Sequence, residues 1–110
     1  MFKKENRLAP GISFSNSHQH NLPQFVLKEK ENGLALNRFG VVVSKRIDKR
    51  AVGRNKVKRF FRTALANFNK KMSVGHDILV IAKKEILNKT KEENLLIVEG
   101  VLTKAGLFQK

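Results

Sequence analysis

The chain has 110 residues, enough for one modest core, and carries 23 lysines and arginines against 9 acidic residues, a net charge of +14. It has no cysteine, which excludes disulfides, zinc knuckles and thiol catalysis together. No apolar run approaches the ~18 residues that span a bilayer, so a polyanion, nucleic acid before anionic membrane, is the partner such a charge calls for.

A single domain over 1–110 is expected, opening on an arm. Residues 1–23 hold Pro10, Gly11, Pro23 and the polar run SNSHQHN, with Ile12, Phe14 and Leu22 as the apolar anchors, so an irregular arm with one short helical turn is expected. The start, MFKKENRL, has lysines without an apolar stretch behind them, which predicts no secretory signal and a cytoplasmic protein. Gln24 to Lys30 puts Phe25 and Leu27 on one face and Val26 on the other, a strand, and Asn32-Gly33 signals a turn. Leu34 to Ser44 is β-branched toward its end and predicts a second strand, bent at Gly40 and paired with the first as a hairpin. From about Asp48 to Asn69 the period becomes helical, without proline. Asp77 to Ala82, DILVIA, reads as a short buried strand, and after a polar stretch Leu95, Leu96, Val98, Leu102 and Ala105 predict a last helix before Gly106. The class is α+β, one sheet with helices packed on it.

The segment KRIDKRAVGRNKVKRFFR concentrates the charge. Lys45, Arg46, Lys49, Arg50, Arg54, Lys56, Lys58, Arg59 and Arg62 stand against Asp48 alone. At roughly 100° per residue from Arg54, the side chains of Lys58, Arg62, Asn55 and Arg59 fall between about 0° and 140°, while Phe60, Ala64, Val57, Phe68, Phe61 and Leu65 form an apolar stripe. A solvated helix face usually mixes signs; four cations without a carboxylate repel one another by a few tenths of a kcal/mol per pair and favour a polyanion over water alone. A membrane surface is the weaker choice, because the core needs the opposite stripe. Asn55 adds a neutral donor and acceptor suited to a sugar hydroxyl or a base edge.

The run Ala51-Val52-Gly53-Arg54-Asn55-Lys56-Val57-Lys58-Arg59-Phe60-Phe61-Arg62 resembles the signature of the bacterial ribonuclease P protein subunit. The flanks agree at Asn6-Arg7-Leu8, Gln24-Phe25-Val26-Leu27, Phe39-Gly40 to Val43-Ser44-Lys45, and Asp77 to Ala82. The resemblance implies a two-layer αβββαβα sandwich with a mostly antiparallel central sheet and a left-handed crossover at the basic helix. It further implies that Arg54, Asn55, Lys58, Arg59 and Arg62, with the loop cations Lys45, Arg46, Lys49 and Arg50, meet a catalytic RNA subunit. The 5′ leader of precursor tRNA would lie in a cleft where Phe14 takes the place of a family aromatic and Lys28 stands where a tyrosine is frequent. Magnesium, bound mainly by the RNA, would serve the chemistry. The chain departs from the pattern in a shortened segment between Leu8 and Gln24, which curtails the first helix, and in a loop Ile47 to Arg50 one residue longer than usual.

No catalytic constellation is visible. His18 and His20 lack a third ligand, His76 reads as a loop residue, and Asp77 has no partner carboxylate and reads as a cap or turn residue. The glutamates lack paired spacing, and there is no phosphate-cradling glycine loop. Among alternatives, a ribosomal protein would share the charge and build but spread it into tails. A DNA-reading helix-turn-helix is disfavoured, because residues 33–44 read as strand where it needs a helix.

Overall fold

The computed structural model describes residues 3–9 and 11–109; Pro10, read above as part of the arm, lies outside them. The described elements are strands β1 (His18–Asn21), β2 (Phe25–Glu31) and β3 (Arg38–Val42), helix α1 (Ala51–Asn69), strand β4 (His76–Ala82) and helix α2 (Lys91–Lys104). Single 3-10 turns lie at Lys4–Asn6 and Lys84–Asn88. The mixed α+β class holds, but the helix expected at the start is reduced, among the described residues, to the turn at Lys4–Asn6.

The sheet runs β1-β2-β4-β3. β2 pairs antiparallel with β1 (Leu27 opposite His20) and with β4 (Leu27 opposite Val80), and β3 pairs parallel with β4 (Phe39 opposite Ile78). The hairpin expected between residues 24–30 and 34–44 does not form. Asn32 turns the chain as expected, its Oδ1 accepting from the Leu34 amide, but its own amide donates to the Gly75 carbonyl, so the loop rounds the start of β4. β3 therefore lands on the far side of β4, and α1 makes the crossover back to it.

Alternation on β2 sorts the sheet into two faces. Phe25, Leu27 and Glu29 are buried, while Val26, Lys28 and Lys30 are half-buried. The first face carries both helices: the Phe25 ring meets Phe61 of α1 edge-on at 5.3 Å, and Val57, Leu65, Val98, Val101 and Leu102 complete the core with Ile78 and Val80. The second face is crossed by the arm. The Leu8 amide donates to the Phe39 carbonyl at 3.0 Å along the β3 edge, and a side chain at Gly40 would come 3.0 Å from Leu8 Cδ1 and 3.2 Å from Leu79 Cδ1. Glycine at 40 lets the arm close on the sheet.

Buried polar groups stitch the elements together. Asn37 donates to Asn69 Oδ1 (3.0 Å) and to the Ser73 carbonyl (2.9 Å) and accepts from the His76 amide (2.9 Å), joining β3, the end of α1 and β4. α2 opens on a capping box between Thr90 and Glu93, which holds the Glu93 carboxyl below its usual range. It closes at Gly106 (φ +73°), whose amide donates to Thr103 while that of Leu107 donates to Leu102.

Candidate nucleic-acid interface

α1 starts at Ala51 without an acidic residue in its first turn and without a side-chain cap on Arg50, so its positive end is not offset from within the helix. The nearest carboxylate is Asp48 in the preceding loop. Its Oδ1 accepts from the Arg50 amide at 2.9 Å, and both oxygens meet the Arg50 guanidinium at 3.2–3.3 Å. Those hydrogen bonds and the Arg50 charge hold the Asp48 carboxyl below the usual range.

Asp48 lies over Gly53: a Cβ there would fall 1.8 Å from Asp48 Oδ2. At the next residue, Arg54 Nη1 donates to the carbonyls of Asp48 (3.0 Å) and Lys49 (2.9 Å). The segment Asp48 to Arg54 is thus a clasp that fixes the loop carrying Lys45, Arg46, Lys49 and Arg50, all exposed, against the helix start. Arg54 itself is half-buried and already engaged by backbone. The sequence did not announce this role, since Arg54 falls on the basic face like its neighbours.

Farther along α1, Asn55, Arg59 and Arg62 are exposed and Lys58 is half-buried, while Val57, Phe61, Ala64 and Leu65 are buried. The apolar stripe and the basic face thus divide as the helical period predicts. Arg62 lines a small cavity of about 210 Å³ with Arg7, Leu8 and Gly40, beside the arm, whereas Arg59 turns toward the start of α2. One strip of cations therefore runs from the loop along α1 between these flanks.

Phe14 and Lys28 are both half-buried but have separate neighbours. The Lys30 ammonium stands 5.1 Å from the Phe14 ring centroid and donates to the Ser13 carbonyl, so Phe14 sits beside the second sheet face with a cation already over it. Lys28, on that face, stands between Gln19 of β1 and Leu79 of β4. The polar run read as part of the irregular arm supplies β1, and His20 Nε2 lies 3.0 Å from Glu29 Oε2.

Asp77 is an anchor instead of a turn cap. It is 1% exposed, accepts from Arg38 Nε (2.8 Å) and Nη2 (2.7 Å), and accepts from Asn32 Nδ2 (2.9 Å). Burial pushes its carboxyl up, but hydrogen bonds from Arg38 and Asn32 and the charges of Arg38 and Lys30 outweigh that and hold it below the usual range. His76, expected in a loop, is the first residue of β4.

The family model for Ribonuclease P matches residues 2–106. The ribonuclease P protein component of Aliivibrio fischeri is 36% identical over 80 residues, 73% of this chain and 68% of its own. That of Clostridium botulinum is 31% identical over 113 residues, covering 96% of this chain and 98% of its own. A solved mutant of the Staphylococcus aureus RNase P protein superposes with a TM-score of 0.85 at 29% identity, covering 96% of this chain and 92% of that one. With the basic helix, the parallel β3-α1-β4 crossover and a match over most of its length, the chain belongs to the ribonuclease P protein family.

Proposed function

We propose that the protein binds the catalytic RNA of ribonuclease P through the Asp48-clasped loop and the exposed face of α1, and holds the 5′ leader of precursor tRNA on the second sheet face. The observation that carries this reading is the strip of cations on α1, exposed Arg59 and Arg62 with half-buried Lys58 and exposed Asn55 between them and the exposed loop cations, with no carboxylate among these four. Phosphates of a folded RNA neutralise such a strip and release counterions. Phe14, Lys28 and Lys30 offer the leader an aromatic ring and two ammonium groups on the other side of the molecule.

In this reading the protein contributes charge neutralisation and placement, and the RNA with its magnesium carries out phosphodiester hydrolysis and leader removal. Among the described residues there is no group of three or more His, Asp or Glu that could hold a metal. Also among them, no helix is long and apolar enough to cross a membrane. The proposed setting is the cytoplasm, where tRNA is processed; the ribosomal alternative loses its ground to the family match.

The test is a salt titration of binding to the RNA subunit. Arg59→Ala with Arg62→Ala should lower the slope of log affinity against log salt by roughly one for each lost phosphate contact. Stability should hold, since both side chains are exposed. An unchanged slope would remove α1 as the docking face.

A further inference from the structure

The flank of α1 turned away from the Arg62 cavity forms a groove with the first turn of α2, with a volume of about 550 Å³. Phe60, Ala64 and Leu95 make its apolar floor, and Lys56, Arg59 and Lys91 stand around it, with Glu92 as the one carboxylate. Ala64 is buried, Phe60 is half-buried with its ring held edge-on by Phe61 at 5.2 Å, and Leu95 remains 42% exposed.

An occupant of this groove has to be apolar in the middle and negative at its edges. A second copy of this chain, itself +14, would add cations to a rim that already has three. An unpaired nucleotide meets both demands, since a base has an apolar face and is flanked by phosphates, and the volume lies within the ~300–1,000 Å³ of ordinary ligand pockets. Arg59 belongs both to this rim and to the basic face, so the two surfaces are continuous.

We infer that the groove between α1 and α2 receives one unpaired nucleobase of the RNA subunit against Phe60 and Leu95, with the neighbouring phosphates on Lys56, Arg59 and Lys91. The inference rests on the RNA-docking reading and adds a shape-selective contact to a surface otherwise driven by charge. Lys56 lies off the basic face on the helical wheel, and Lys91 is distant in sequence, so only the packing of α2 on α1 brings them together.

The groove can be plugged from its exposed wall by Thr63→Trp on α1, or given a repelling carboxylate by Leu95→Glu on α2, in the full chain. Binding to the RNA subunit would be measured over a salt series alongside thermal melting, with chemical probing of the RNA bases in each complex. Thr63→Trp should weaken binding about tenfold without changing the salt slope, and one base shielded in the wild-type complex should become reactive. Lys56→Ala and Lys91→Ala should instead each lower the slope by about one. If Thr63→Trp fails to fold, the Leu95→Glu variant must show the same affinity loss and the same newly reactive base.

Wild-type affinity and base protection in a folded groove variant would overturn the inference. So would a wild-type dimer that Thr63→Trp separates with RNA affinity intact, since a second chain would then be the occupant. The docking reading fails separately, through an unchanged slope in the Arg59→Ala, Arg62→Ala variant.

Discussion

Gly53 is a helical glycine whose missing side chain makes room for a carboxylate. Glycine in a helix costs roughly 0.5–1 kcal/mol relative to alanine, so Gly53→Ala would ordinarily stabilise α1. Here the new methyl would meet Asp48 Oδ2 and drive the carboxylate off the Arg50 amide. The expected result is a non-additive cycle. Gly53→Ala gains nothing or loses stability in the native background, yet recovers roughly 0.5–1 kcal/mol when Asp48→Ala is already present, as urea unfolding would measure. Additive effects would mean that Asp48 and Gly53 do not communicate.

At the level of elements, the anchor at Asp77 ties together β4, the start of β3 and the turn after β2. Its folded carboxyl titrates below the ~3.9 of an unfolded aspartate, so between the two values the unfolded chain binds the extra proton. The stabilisation is therefore complete above about pH 4 and is lost as pH falls through the folded value. Asp77→Asn should flatten this acid limb and at neutral pH cost about 1.5–3 kcal/mol, because the charge-assisted hydrogen bonds from Arg38 are weakened or lost; melting temperature against pH for both proteins checks it.

The same elements show what could be seen in sequence. α1 was legible because its apolar and basic residues separate at helical period over five turns, and β4 because DILVIA is an apolar run of strand length. β1 was not, since His18–Asn21 is wholly polar and becomes a strand only by pairing with β2. The partner of β3 was equally hidden: Asn32-Gly33 makes a turn in either topology, and only its contact with Gly75 sends the chain around β4. The basic face could be read residue by residue, but the engagement of Arg54 with the loop carbonyls and the meeting of Lys56 with Lys91 depend on packing.

For the whole molecule, the decisive fact is that β4 is central in the sheet and late in the sequence. A chain ending at residue 75 would keep the β1–β2 pair and β3 but lose the strand that joins them, along with α2. Such a fragment is expected to melt without a cooperative transition by circular dichroism and calorimetry, because the apolar face of α1 keeps only a two-stranded remnant of the sheet to lie on. A sharp transition in the fragment would show that β1, β2, β3 and α1 suffice.

The late arrival of β4 also orders events at the ribosome. The basic segment emerges from the exit tunnel ahead of residues 76–82, so its cations meet the surroundings before Val57, Phe61 and Leu65 have a complete sheet to cover them. During that interval the charges proposed to meet the RNA subunit are carried by a chain that lacks its central strand, and attract phosphate of any source. On the proposed function, discrimination begins when β4 slots between β2 and β3. The order of the strands thus makes the newborn chain a polycation before it has the fold that the proposed docking needs.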